Sequence, residues 1–379
     1  AGGTIDVSGV SRQYFDLTKF TDGGRIALRS TAGSVMVPAG ASLSVKAMAG
    51  GGNAGSLTID APAGSVVVNG ALDGSAGSGG RTGSAAITAG SLQPLAGLDA
   101  LFNTAQFNES RSYRALTGDV LVNGPAKSRN YSVSADGGSI VVTNTIDASG
   151  TTGGSISLAA TGSVILESNA RLSTAAAKFN AAGKGGSISL EAGAAKHGTI
   201  NPAALLDIQS GSGLDLSVAA SAVAGQTAGT LHLRAPQTAA GTELQMNPVR
   251  GTVAGASSIV MEGYRLYGLT GNGTINAAVQ SSVKDGAALF GSAGPDIMNR
   301  VLTGSNAGLQ SISAVYPGAE IYNLNGDLTL AGTWDLSTFR FGPQNVPGVL
   351  TMRASGNLNF NFASSLSDGF GGGAGPLWQ

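Results

Sequence analysis

The chain has 379 residues, no cysteine, and 21 Lys and Arg against 22 Asp and Glu, a formal net charge of −1. This excludes disulfides and thiolate-bound metals, and it leaves no electrostatic basis for nucleic-acid or anionic-membrane binding. Charged residues are only 11% and glycines number 60, roughly half and about twice their usual shares, which suits many tight turns between short strands.

No run approaches the roughly eighteen apolar residues of a transmembrane helix. The chain opens on Ala1-Gly2-Gly3, already inside a repeat and without a signal peptide, so a mature or processed piece of a longer protein is expected. Residues 2–9 carry the word T-I-D, which returns at 144–150 as NTIDASG. After a short excursion at 11–22, Gly23-Gly24 reopens the pattern. Apolar-polar alternation over three to five residues, bounded by Gly, Asn and Ser, marks a strand with a turn at each end. Ile26, Val35 and Leu43 align with Leu57, Val66 and Leu72, and with Ile156, Val164 and Leu172 in the stretch 153–186. Spacing between the first two strands is nearly constant, and the variation falls in the loop after the third.

The pattern predicts an all-β fold, a parallel β-helix with three strands per coil. Each coil stacks about 4.8 Å from the next, and inward Ile, Val and Leu form ladders. Corner Gly and Asn are expected to supply positive φ. The coils are expected at 1–90, 136–283 and 311–362. Residues 91–135 break the rhythm: Leu95, Leu98, Leu101 and Phe102 fall at helical offsets, and with Asp99, Glu109, Arg111 and Arg114 they predict one or two short helices lying as a lid over one face, with strands resuming at 119–122 and 131–133. Residues 257–270 and 273–283 read as strands, 284–310 as a second excursion with a short helix, and 363–379 as a Gly-rich tail.

The words TIDASG…GGSISL and GSVVVNG resemble the filamentous haemagglutinin-like exoproteins of two-partner secretion systems. The later words GTLHLRAPQTAAGTELQMNP (229–248), SSIVMEGYRLYGLT (257–270), YPGAEIYNLNGDLTL (316–330), DLSTFRFGPQNVPGVLTMRASGNLNF (335–360) and SLSDGF (365–370) resemble the C-terminal repeat-region module of its large members. The resemblance covers essentially the whole chain. It implies a right-handed parallel β-helix, exported across the outer membrane of a Gram-negative bacterium by an outer-membrane two-partner secretion transporter. It implies a secreted or cell-surface shaft used in adhesion, aggregation or biofilm matrix. The family's N-terminal secretion domain and C-terminal toxin domains are not matched, and the resemblance carries over no catalytic residue.

Chemistry-bearing motifs are few. His197 and His232 lie far apart, and His232 alternates with Leu231 and Leu233 as an outward strand residue does. Neither a Gly-x-Ser-x-Gly elbow nor a phosphate-binding Gly-x-x-x-x-Gly-Lys-Ser/Thr run occurs, and no turn has the Gly-Gly-x-Gly-x-Asp order of calcium-binding repeats. Asp6, Asp60 and Asp147 each end a T-I-D word, where accepting backbone N–H bonds is the ordinary task. The aromatics Tyr264, Tyr267, Tyr316, Tyr322, Trp334, Phe339 and Phe341 gather in the last third. Tyr264, Tyr267, Tyr316, Tyr322 and Trp334 are the candidates for contact with a glycan or protein partner; the competing reading has them packing under the second excursion or covering one end of the fold. No catalytic residue, metal or cofactor is expected. The function expected is that of a structural shaft binding surface glycans or proteins and self-associating into filaments. A polysaccharide-active β-helix enzyme, with paired carboxylates on adjacent coils, and a non-catalytic glycan-binding module are the alternatives.

Overall fold

The structure, a computed structural model, describes residues 2–194, 201, 203–362 and 364–368. His197 and most of the 363–379 tail lie outside the described residues. Strands hold 43% of the described residues and helices 12%. The fold is mostly β with parallel sheets; the antiparallel strand pairs described are the short hairpins Ser11–Tyr14 with Leu17–Phe20 and Arg340–Phe341 with Val346–Pro347. The chain divides into two compact units. The first is Ala1–Ala192, Asp207–His232 and Val249–Ser258; the second is Gly193–Leu206, Leu233–Pro248 and Ile259–Gln379.

In the first unit, strands Arg25–Arg29, Ser56–Ala61, Ser84–Ala89, Ser110–Ala115, Asn130–Ala135, Ser155–Ala160 and Ser187–Glu191 pair in that order, all parallel. Register is kept throughout, so Ile59, Ile87, Tyr113, Val133, Leu158 and Leu190 form one row, each at most 2% exposed. Alternate residues such as Ser157 face solvent, because successive strand side chains point to opposite faces. The shorter strands between them pair with their counterparts in the next repeat. Val35 pairs with Val66, Leu43 with Leu72, Ile140 with Val164 and Ile146 with Leu172. Val35 and Val66, and Leu43 and Leu72, aligned by sequence, are thus register partners.

The helix Ala96–Thr104 is not a lid over a finished face. It follows Ser84–Ala89 and takes the place of the two short strands due there. The edges of Val120–Val122 and Ala126–Lys127 bond to it or to its approach: Leu95 N–H donates to Leu121 O, Asn103 Nδ2 to Pro125 O, and Lys127 N–H to Asn103 Oδ1. Strand edges left open would invite further pairing. The helical offsets end at Thr104, and the predicted helical character of Arg111 and Arg114 is corrected. Ser110–Ala115 alternates with period two and hydrogen-bonds to a strand on each side.

The Gly-Gly pairs that open each repeat also have a different cause from the one expected. Gly23, Gly24, Gly153 and Gly154 do not have positive φ. A Cβ on Gly154 would sit 1.9 Å from Arg129 O, and one on Gly55 would sit 1.7 Å from Gly24 O. Close approach of backbones of adjacent repeats excludes a side chain there. True positive-φ glycines do occur elsewhere, as at Gly40 and Gly211.

In the second unit the same order returns. The part of Ala256–Gly268 from Ile259 onward pairs with Ser313–Asn323, and that strand with Val349–Ala354. Thr274–Ile275, Leu328–Leu330 and Leu358–Phe360 form a second row, and Trp334–Asp335 pairs with Leu366–Ser367. Strand character ends at Ile275, not at 283. Asn276 caps the helix Ala277–Ser292 by accepting from Ala278 N–H and Val279 N–H, a strong N-terminal signal. This helix, Gly294–Val301 and the 3-10 segment Gly304–Ile312 occupy the chain between the second strand of one repeat and the first of the next. The core here gathers Ile275, Val283, Ala319, Ile321, Leu328, Leu330 and Trp334.

Candidate functional site

His232 is half-buried on its strand, and no group of three or more His, Cys, Asp or Glu that could hold a metal occurs among the described residues. Asp6 and Asp147 close their turns: Asp6 accepts from Ser8 N–H at 2.9 Å and Asp147 from Ser149 N–H at 2.9 Å. The same Asp-x-Ser turn follows Asp73, Asp215 and Asp335. Asp60 instead pairs with Arg29 at 3.2 Å. Apart from Asp60, these aspartates are turn-formers spread over separate repeats.

Two carboxylates do meet on neighbouring strands, Glu262 of Ala256–Gly268 and Glu320 of Ser313–Asn323. Arg234 bridges them, its Nε donating to Glu262 Oε1 at 2.9 Å and its Nη2 to Glu320 Oε2 at 3.1 Å. Glu320 also pairs with Arg353 Nε at 2.9 Å. The Arg234 guanidinium lies 3.9 Å from the centroid of the Tyr264 ring. Glu262 and Glu320 are 3% and 1% exposed. A glycosidase pair must reach a sugar; these two hold an arginine in the interior. Sequence reading missed this cluster because charged residues on alternating strands are normally read as outward, and it missed the buried Arg111–Asp99 pair because both residues were read as parts of short helices.

Of the five aromatic candidates, Tyr264 and Trp334 are corrected. Both are buried, and Tyr264 donates its hydroxyl proton to Gly193 O, so neither ring is open at the outer surface to a glycan. Tyr267 is half-buried beside the helix, its hydroxyl oxygen 3.5 Å from Ser282 O, and burial raises its phenol above the ordinary value. Tyr322 is half-buried over Gly268, where a Cβ would fall 2.6 Å from its hydroxyl. Tyr316 is half-buried in register with Glu262.

The remaining aromatics shape a cavity. Trp334, Phe339 and Phe341 meet edge to face in series, with centroids 5.9 and 5.7 Å apart. They form one wall of a cavity of about 330 Å³. Val283 and Ala287 of the helix Ala277–Ser292, Pro317 and Ala319, and Val349 and Leu350 complete an almost wholly apolar lining, with Arg340 and Asp368 as its charged members. Trp334 Nε1 is buried and has no hydrogen-bond partner among the described residues. A concave apolar space with few polar groups is the usual form of a small-molecule site. Trp334, Phe339 and Phe341 were visible in sequence as a late aromatic cluster; their convergence with Ala287 and Pro317 was not.

No family model, curated protein or solved structure matches this chain.

Proposed function

We propose that the chain is a stretch of right-handed parallel β-helix, the structural shaft of a secreted, filamentous haemagglutinin-like adhesin. The observation that carries this reading is the pairing of each strand with the equivalent strand of the next repeat, in register, with one apolar row running from Ile59 to Leu190. Backbone hydrogen bonds then run from repeat to repeat, and buried side chains stack in the same direction. Such an array resists bending and separates whatever lies at its ends. A surface with only 11% charged residues presents broad Ser, Thr, Asn and Gly faces for attachment, aggregation or matrix contacts. Export by an outer-membrane two-partner transporter and a place outside the cell or on its surface belong to the same proposal. So do contacts with surface glycans or proteins, and filament growth through exposed strand edges.

Electron microscopy of the native secreted material tests it. Rods with an axial repeat of about 4.8 Å, lost from the cell surface together with attachment when the gene is deleted, are the expected result. Compact particles without that repeat, or unchanged attachment in the deletion strain, would overturn it.

A further inference from the structure

We infer that the polar cleft on the outer face of the strands Thr274–Ile275, Leu328–Leu330 and Leu358–Phe360 is a binding site for a neutral hexopyranose glycan. The inference rests on the glycan-contact part of the proposed function and gives it a site and a sugar class. Leu328 and Leu330 turn into the core, so Asp327, Thr329 and Ala331, alternating with them, point outward. Thr274 and Asn359 flank Thr329 in register. The cleft holds about 500 Å³ and is lined by Asn272, Thr274, Asp327, Thr329, Ala331 and Asn361, with Gly271 and Gly326 adding no side chain. That volume falls within the ~300–1,000 Å³ usual for ligand sites.

The carboxylate in the cleft is fixed in place. Asp327 Oδ1 accepts from Asn357 N–H at 2.7 Å and Oδ2 from Asn359 Nδ2 at 3.0 Å. These bonds hold its carboxyl below the ordinary value. A Cβ on Gly356 would fall 2.1 Å from Oδ1, so backbone passes directly against it. An ionised carboxylate offers about four lone-pair sites, and two N–H donors leave about two for hydroxyl protons. No hydrogen bond to another described residue engages the side chains of Asn272, Thr274, Thr329 or Asn361. Their amides and hydroxyls both donate and accept, as the hydroxyls of a sugar do. An acidic sugar would meet the Asp327 charge with no Lys or Arg in the lining. A calcium ion needs about six to eight oxygen ligands, whereas one carboxylate already facing two N–H donors supplies few. Phe362, one residue beyond Asn361, is fully exposed, an apolar ring of the kind that covers the C–H face of a pyranose. Neutral hydrogen bonds contribute little each, so one cleft binds weakly and firm attachment comes from many chains acting together.

The test is saturation-transfer nuclear magnetic resonance of the full chain. The probes are the methyl α-glycosides of glucose, mannose and galactose, with N-acetylneuraminic acid as the acidic control. At least one neutral glycoside is expected to receive saturation and to bind about tenfold more tightly than the acid. Asn272→Ala combined with Asn361→Ala should weaken that binding about tenfold. The pair should leave the urea midpoint unchanged, since both side chains are exposed. Thr329→Tyr, which fills the cleft, should abolish binding, and the double variant carries the test if this one does not fold. Chelation of calcium should change nothing. Saturation of none of the three glycosides, equal binding of the acid, dependence on calcium or undiminished binding by the double variant would overturn the inference. The two readings fail separately. Sugar binding lost in the double variant, with normal attachment by the deletion strain, sinks the shaft reading and keeps the site. Attachment lost on deletion, with no glycoside bound, sinks the site and keeps the shaft reading.

Discussion

Arg111 Nη1 lies 3.1 Å from Asp99 Oδ1, with both side chains wholly buried. Arg111 occupies the row held by Leu57 and Ala85 before it and by Tyr131 and Ile156 after it. The carboxylate of Asp99 also accepts from Tyr113 and Tyr131 hydroxyls at 2.8 and 3.0 Å, and Arg111 Nη2 donates to Asn103 and Asn108. The apolar row is thus interrupted by a satisfied polar knot at the level where a helix replaces two strands.

Removing one member should leave the other charge buried and unpaired. Asp99→Ala is expected to destabilise the chain by about 3–5 kcal/mol, whereas Asp99→Leu combined with Arg111→Met should recover much of that loss. Urea unfolding of the three proteins checks it. Equal midpoints for the wild type and Asp99→Ala would remove the knot from the stability of the fold.

Gly154→Ala tests the close approach of backbones. The new Cβ would meet the Arg129 carbonyl, and backbone there cannot swing away as a side-chain tip can. A loss of about 3 kcal/mol is expected. Gly118→Ala, where φ is positive but a Cβ meets nothing within 4 Å, should lose about 1 kcal/mol. Equal losses would mean that conformation, not proximity, sets the requirement at Gly154.

The repeating strands were legible because period-two alternation and strand spacing are local signals. Ile26, Val35 and Leu43 therefore found their true partners from sequence alone. The helix ends were harder. Leu95 to Phe102 carries helical spacing, but whether Arg111 continues it depends on neighbouring strands that supply a ladder on both sides. The asparagine cap at Asn276 was readable, yet 273–283 reads equally as a strand, because Ala, Val and Ser suit either period. The cavity was the least legible part. Its lining joins Val283, Pro317, Trp334 and Leu350 from four separated segments, and no local pattern marks such a convergence.

Acid should weaken the turns. The Asp6 carboxyl is held below the ordinary value mainly by the Ser8 hydroxyl, Asp22 by the Asn53 amide, Asp327 by the Asn357 amide and Asp335 by the Ser337 amide. A carboxylate whose pKa is lower in the folded chain stabilises that chain above its unfolded value, here 3.8. The contribution is lost as pH falls through the folded value. These groups should thus add nothing to the pH dependence of the urea midpoint between about pH 7 and 5 and lower it below about pH 4. Carboxyl resonances of the four residues titrating at or above the ordinary value would contradict this.

Glu320 separates the structural role of its cluster from a catalytic one. The residue is 1% exposed and accepts from Arg234 and Arg353. If it works as an ionic bridge, Glu320→Gln weakens its charge-assisted hydrogen bonds and leaves positive charge in the interior, so the urea midpoint should fall by the equivalent of about 2–4 kcal/mol. If it works as an acid or base toward a glycan, the same substitution should leave the midpoint close to wild type and remove reducing-end release from the polysaccharide it cleaves. The salt bridges on both of its oxygens, and burial that leaves no path for a sugar ring to the carboxylate, argue for the first outcome. An unchanged midpoint together with lost hydrolysis would move Glu262 and Glu320 from the interior framework to the chemistry of the protein.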